Sequence, residues 1–160
     1  MTASASVYYT TGLITGTFDL LHVDHFFLWW RASRLCQNLL IGLECDERVR
    51  SRKGPNRPFY PQQRRKERIE RLFDSAQVVI LPTNFCQENV REQWLRDHHV
   101  DVLFIGNNDQ FAANKRQLMK KCGGDVIELK SKNVISMTKI LNREQSGDYL
   151  LQAEDRQWLK

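Results

Sequence analysis

Apolar residues along the chain follow two periods in turn, and this pattern predicts alternating strands and helices. Short apolar runs rich in β-branched and aromatic residues are typical of strands, and apolar positions three and four apart among charges are typical of helices. The predicted strands cover residues 8–15, 39–43, 77–81, 100–105 and 126–129. The predicted helices cover residues 23–36, 62–73, 87–98 and 111–122. A last helix is predicted from its N-cap, Ser136, and includes Ile140 and Leu141.

Strands that alternate with helices favour βαβ units. We therefore predict an α/β fold, a Rossmann-like three-layer sandwich with a mostly parallel sheet and helices on both faces. The chain has 160 residues, which is one domain in length. We place that domain at residues 1–142 and predict a C-terminal helical extension or tail at 143–160. The basic segment 48–60 contains Gly54, Pro55 and Pro58 and is predicted to be a loop.

Charge and cysteine content narrow the classes of function. Lys and Arg number 24 against 19 Asp and Glu, a net charge of +5, which favours an anionic partner or is simply a basic surface. We find no apolar run of the roughly 18 residues that a membrane span needs, no secretory signal pattern and no nucleic-acid-binding signature. The four cysteines are far apart, so we expect reduced thiols in a cytoplasmic protein.

Residues 15–25 hold the strongest candidate chemistry, at the junction of the first predicted strand and helix. Gly16 lets the backbone approach a ligand closely, and the free N–H groups of a helix N-terminus suit a phosphate chain. His22 and His25 are three apart and share a helix face, so both imidazoles can donate to phosphate oxygens. The alternatives are two structural histidines or half of a metal site, for which no further ligand is evident.

Residues 16–25 read G-T-F-D-L-L-H-V-D-H and resemble the signature of the paired-histidine nucleotidyltransferases. The resemblance is to the cytidylyltransferase branch, which includes the glycerol-3-phosphate and ethanolamine-phosphate cytidylyltransferases. It runs from about Leu13 to Leu141. Four further segments match in order: Asp46-Glu47; Lys53-Gly54 with Arg57-Pro58 and Gln63-Arg64-Arg65; V-L-F-I-G-N-N-D at 102–109; and I-S-M-T-K-I at 135–140.

The resemblance implies roles for individual residues. His22, His25, Lys53 and Arg65 (or its neighbour Arg64) would contact the phosphates and stabilise the transition state. Asp19 would order the loop or position Mg²⁺, and no residue is predicted to bind a resident metal. The implied nucleotide-binding set is Thr15, Gly16, Thr17, Phe18, Asp19, Gly106, Asp109, Ile135, Ser136 and Thr138.

The resemblance also implies a reaction. A phosphate oxygen of the acceptor attacks the α-phosphorus of a nucleoside triphosphate and pyrophosphate leaves. The expected reaction is transfer of CMP from CTP, with Mg²⁺, to a phosphorylated alcohol or sugar-alcohol, by a homodimer. One alternative is an adenylyltransferase that uses ATP and acts on a sugar phosphate or on FMN. Another is a degenerate, non-catalytic nucleotide-binding or scaffold protein.

Asp24 and Val134 are two of the positions that depart from the family pattern. Asp24 stands where H-x-G-H has glycine, and a carboxylate about 4 Å from a phosphate costs on the order of 4 kcal/mol per charge pair at an effective dielectric near 20. In the first turn of a helix, Asp24 could instead face solvent and gain from the helix dipole. Val134 stands where the family usually has glycine, and a β-branched residue tolerates positive φ poorly.

Overall fold

The computed structural model describes residues 9–107 and 109–130, which form a five-stranded sheet with helices between the strands. The strands are β1 (Tyr9–Gly16), β2 (Cys36–Leu43), β3 (Gln77–Ile80), β4 (Val102–Ile105) and β5 (Asp125–Glu128). The helices are α1 (Val23–Ser33), α2 (Asp46–Lys53), α3 (Gln62–Leu72), α4 (Glu88–Asp97) and α5 (Ala112–Cys122). The predicted last helix and the extension at 143–160 lie outside the described residues.

The sheet confirms the predicted α/β architecture. Its strand order is β3-β2-β1-β4-β5, and every strand pair in it is parallel. After β1 the chain adds β2 and then β3 on one side of it. It then returns and pairs β4 with the other side of β1, where Gly12 is opposite Val102 and Leu13 is opposite Leu103. The change of direction leaves a crevice at the carboxyl ends of β1 and β4, which is where open α/β sheets bind ligands.

Side-chain alternation along the strands produces two cores, one on each face of the sheet. Ile14 packs with Trp29 of α1 and Ile69 of α3, and all three are almost completely buried. Its neighbour Leu13 points to the opposite face and packs with Leu95 of α4, Leu118 and Met119. Consecutive residues of a parallel strand therefore pack into cores on opposite faces of the sheet, which explains the continuous apolar runs in the sequence.

The prediction of a loop over 48–60 is wrong for its first part, because α2 occupies Asp46–Lys53. Asp46 and Glu47 lie in its first turn and Arg50, Arg52 and Lys53 in the last, which is the charge order that the helix dipole favours. Val49 is fully buried, and Gly54 ends the helix with φ of 99°. Too few apolar residues mark this helix for its period to be visible in the sequence.

The predicted first helix is also too long at its end. Helix α1 stops at Ser33, and Cys36 is instead the first residue of β2, paired with Tyr9. Within the residues that the structure describes, none of the helices is long and apolar enough to cross a membrane.

Candidate active site

A cavity of about 340 Å³ lies at the carboxyl end of β1. The turn after β1 forms one side of it, α1 contributes His25 and Leu28, and the end of α2 with the following loop supplies Arg52, Lys53 and Arg57. We call it the phosphate cleft because three cations line it. Seven of the predicted site residues meet there: Thr15, Gly16, Thr17, Phe18, Asp19, His25 and Lys53.

Gly16 and Phe18 set the shape of the turn between β1 and α1. A Cβ at Gly16 would lie 2.7 Å from the Phe18 ring, so a larger residue cannot replace the glycine without moving that ring. Phe18 has φ of 48°, a conformation that a bulky residue adopts only when its surroundings enforce it. Its ring makes edge contacts with His25 and Trp29, each at 5.2 Å between centroids. The turn thus holds His25 against the core.

His22 and His25 stack on each other with their ring centroids 3.8 Å apart. The backbone N–H of His22 donates to Nδ1 of His25 at 3.3 Å. A neutral His25 whose Nδ1 accepts a hydrogen bond carries its proton on Nε2. His25 lines the phosphate cleft, whereas His22 is not among the described residues that line it. Of the two histidines, it is therefore His25 whose ring lines this cleft, and the His22 ring stacks on it.

Burial lowers the pKa of both imidazoles. Burial, reinforced by His22 and Lys53, lowers the pKa of His25 from its ordinary 6.5 to about 3. Burial also lowers the pKa of His22, against the opposing effect of Asp24. Desolvation lowers the pKa of Lys53 too, as do the neighbouring charges of Arg52 and Arg57. An anion in the cleft would offset the positive charges of its three cations.

The free energy of unfolding is expected to fall as pH is lowered from about 6.5 towards 3, partly because of His25. In that window the unfolded imidazole binds a proton and the folded one does not, so acid favours the unfolded state. Urea unfolding at a series of pH values measures the slope. His25→Asn should flatten it, since Asn keeps a hydrogen-bond acceptor and cannot titrate. An identical slope in the two proteins would contradict the low pKa.

Asp19 lines the phosphate cleft but its carboxylate is already engaged. It accepts hydrogen bonds from the backbone N–H of Phe59 at 2.8 Å and of Tyr60 at 3.0 Å, and from Arg57 Nε at 3.2 Å. The side chain is almost fully buried. The carboxylate is thus hydrogen-bonded to the segment that follows α2. It is the one carboxylate among the described residues of this cleft, so they offer no free carboxylate to Mg²⁺.

Arg65 does not reach the phosphate cleft, contrary to its predicted phosphate contact. It is fully buried, and its three guanidinium nitrogens all donate to the protein. The acceptors are the carbonyls of Tyr60 (2.9 Å), Thr17 (2.6 Å) and Glu44 (2.9 Å) and the carboxylate of Asp46 (2.7 Å). Arg65 joins three segments that border the cleft and is a positioning residue. The alternative, Arg64, stacks over Tyr60.

Glu44 and Arg52 form a connection that sequence reasoning missed. The buried Glu44 carboxylate accepts from the Thr17 hydroxyl at 2.9 Å and pairs with Arg52 and with Arg48. Arg52 Nη2 also reaches the Thr17 hydroxyl, at 3.2 Å. The sequence signal is the four-residue spacing of Glu44, Arg48 and Arg52, which is informative only once α2 is known to be a helix.

A second, larger cavity of about 510 Å³ lies on the other side of the end of β1. Thr15, Gly16 and Arg52 line both cavities. We call the larger one the β1–β4 cavity, because residues of both strands line it. Asp109, predicted near a nucleotide, lies here and pairs with Lys115 at 2.6 Å. Gly106 follows β4 but is not among the described residues that line either cavity.

The remaining predicted site residues are not placed. Ile135, Ser136 and Thr138 lie outside the described residues, as does Val134. Asp24 is described and lies in the first turn of α1, half-buried, where its charge acts on His22. Among the described residues, those that line the phosphate cleft do not include Asp24. Its departure from the H-x-G-H pattern therefore does not put a carboxylate in the cleft.

Comparison with known proteins gives one consistent result. The model of a family described as cytidylyltransferase-like matches residues 13–143. The bifunctional protein HldE of Alcanivorax borkumensis is 32% identical over 136 residues, which are 83% of this chain and 27% of that protein. HldE of Desulfatibacillum aliphaticivorans is 28% identical over 138 residues, 84% of this chain and 27% of that protein. The chain thus spans about a quarter of the length of these relatives.

A solved structure shares the fold. The lipopolysaccharide core biosynthesis protein from Thermoplasma volcanium superposes with a TM-score of 0.61 at 20% identity. The match covers 79% of this chain and 98% of that one.

Proposed function

The chain belongs to the cytidylyltransferase-like family of nucleotidyltransferases, and from that premise we propose that it transfers CMP from CTP to a phosphorylated small molecule and releases pyrophosphate. The observation that carries the proposal is the state of His25. Its imidazole is neutral, its Nδ1 is occupied, and its Nε2–H remains as a donor in a cleft lined by three cations. Such a donor suits a phosphate oxygen on which charge builds up.

The proposed chemistry is a direct displacement. An oxygen of the acceptor's phosphate forms a bond to the α-phosphorus, the bond from that phosphorus to the bridging oxygen breaks, and its electrons leave with pyrophosphate. No nucleophilic side chain is needed, so catalysis rests on positioning and on neutralising charge. His25 donates to the α-phosphate, while Arg52, Lys53 and Arg57 neutralise the negative charge of the phosphate chain. Ser136 and Thr138 are proposed to bind its far end.

Magnesium is proposed to enter with the nucleotide. The carboxylate of Asp19 is held by its three protein donors, so it does not fit the role of a metal ligand. The metal would be coordinated by phosphate oxygens and water, a common arrangement for Mg²⁺. We assign none of the described residues to it.

A second candidate is transfer of AMP from ATP. Arg57-Pro58 with Pro61, and G-G-D-V-I-E-L at 123–129, resemble the heptose-phosphate adenylyltransferases. The similarity to the bifunctional proteins HldE supports the same branch. Both candidates use the same phosphate chemistry and differ in the base.

Thermal unfolding with CTP and with ATP, each with Mg²⁺, separates the candidates. A nucleotide at about 100 times its Kd adds about 2.7 kcal/mol, which raises the Tm of a domain of this size by very roughly 5–10 °C. We expect the rise with CTP and none with ATP. A rise with ATP alone would replace the first candidate by the second, and no rise with either would favour a non-catalytic protein.

A further inference from the structure

Glu44 is a buried carboxylate that the proposed chemistry does not use. It follows β2, and its side chain is 9% exposed. Its backbone is fixed on both sides, since its N–H donates to the carbonyl of Gly16 at 3.0 Å and its carbonyl accepts from Nη2 of Arg65 at 2.9 Å. The carboxylate is therefore attached to a well-held point beside the end of β1.

Both carboxylate oxygens of Glu44 have partners. Oε1 lies 3.5 Å from Nη2 of Arg48, which precedes Arg52 by one turn of α2. Oε2 accepts hydrogen bonds from the Thr17 hydroxyl at 2.9 Å and from Nη2 of Arg52. The same Nη2 also donates to Thr17 Oγ1, at 3.2 Å. Partners on both oxygens restrict the carboxylate to one orientation, and that orientation fixes the guanidinium of Arg52.

Arg52 needs such an anchor because its side chain is 42% exposed. An unanchored arginine samples many rotamers, and the entropy lost when a ligand orders it opposes the interaction. Among the described residues that line both the phosphate cleft and the β1–β4 cavity, Arg52 is the one with a charged side chain. A phosphate chain in the cleft that extends towards the other cavity therefore passes Arg52.

We propose that Glu44 is a positioning residue: it holds Arg52 in the geometry that nucleotidyl transfer requires, and its charge weakens the binding of the phosphate chain before reaction. This inference rests on the proposed function, in which Arg52 neutralises charge on that chain. A donor that is ordered beforehand stabilises developing charge without reorganisation. The carboxylate meanwhile repels a phosphate bound beside its arginine. Glu44 thus raises kcat and lowers the affinity for the ground state.

The order of the Arg52 side chain tests the positioning role without any turnover. NMR relaxation of the arginine Nε–Hε groups should show Arg52 ordered in the parent protein and flexible in Glu44→Gln, because glutamine has the shape of glutamate without its charge. Glu67→Gln is the matched control, since Glu67 is exposed on α3 and lines neither cavity. Equal order of Arg52 in the parent and in Glu44→Gln would overturn the proposal.

Kinetics and binding of inorganic pyrophosphate separate positioning from a purely structural role. We expect Glu44→Gln to lower kcat by roughly 10- to 100-fold, the size of effect that a misplaced catalytic contact has. Calorimetry should show pyrophosphate binding roughly 2- to 10-fold tighter in this variant, since a competing negative charge is gone. A purely structural role predicts weaker binding instead, because a loosened site holds pyrophosphate poorly.

Glu44→Asp is the second variant and separates charge from position. It keeps the negative charge and the buried ion pairs, but its carboxylate is one methylene further from Arg52. We expect kcat to fall at least about tenfold while pyrophosphate affinity stays within about threefold of the parent. Should Glu44→Gln fail to fold, a parental kcat in Glu44→Asp would overturn the proposal, as weaker pyrophosphate binding in a folded Glu44→Gln protein would.

The outcomes also separate this inference from the proposed function. Loss of order at Arg52 in Glu44→Gln, in a parent protein that transfers no nucleotide, would contradict the proposed function and leave the anchoring of Arg52 standing. Nucleotidyl transfer at the parental rate in both Glu44 variants would do the reverse.

Discussion

Replacing His25 by asparagine is expected to lower the rate of nucleotidyl transfer by roughly 100- to 1,000-fold, the usual cost of removing one donor from a charge that develops in a transition state. The substitution retains an acceptor for the backbone N–H of His22 and removes the Nε2–H of a ring that lines the cleft. Steady-state kinetics with the nucleotide identified by thermal unfolding measures the effect. The loss should appear in kcat, because the hydrogen bond from His25 to the phosphate oxygen becomes stronger only as negative charge builds up on that oxygen.

The matched control is His99→Asn. His99 is exposed, lies after α4 and has φ of 51°, a conformation that asparagine tolerates well. Its replacement should leave kcat within a factor of two or so of the parent, as expected for a substitution away from the site. A His25→Asn protein with parental kcat would remove His25 from the mechanism, whatever the control does.

Replacing Arg65 by methionine is expected to lower the free energy of unfolding by about 3 kcal/mol, since breaking a buried ion pair typically costs 3–5 kcal/mol and Asp46 is here partly exposed. The change leaves the carbonyls of Thr17 and Glu44 without their buried donor. For a domain of this size the Tm should fall by roughly 6–12 °C. Urea or thermal unfolding measures the loss.

Arg64→Met is the control, because Arg64 neighbours Arg65 on α3 but is exposed and stacks over Tyr60. It should change stability by less than about 1 kcal/mol. Should Arg65→Met leave stability unchanged and abolish nucleotide binding, a direct contact of Arg65 with phosphate would be correct after all and the positioning role would be wrong.

The sheet and most helices could be predicted from the sequence because their apolar periods are strong. Leu13 and Ile14 lie in an apolar run that a parallel strand needs for two cores. Helix α2 could not be predicted in this way, since Val49 is its one buried residue. Its helical state depends instead on its charge order, on Gly54 and on the burial of Val49, and only the first two can be seen in the sequence.

The residues of the candidate site also differ in whether the sequence predicts them. Gly16 and His25 are predictable because a strand, a glycine and a helix N-terminus follow one another within the chain. Arg65 and Glu44 are different, since their partners include residues 48 and 27 positions away along the chain. A sequence motif identifies an arginine near phosphates, but it does not say whether the guanidinium faces the ligand or the protein. That choice is made by tertiary packing.

The central position of β1 has a consequence for how the protein is made. As the chain leaves the ribosome, β1 can pair at once with β2, whose residues lie 27 positions further on in the register. The other edge of β1 stays unpaired until β4 has been made, and Val102 of β4 follows its partner Gly12 by 90 positions. Until then that edge exposes unpaired N–H groups, including those of Thr10 and Thr11, which finally bond to Asp101. The crevice between β1 and β4 is therefore completed late, and a nascent chain halted before residue 101 carries an open strand edge where other chains can associate.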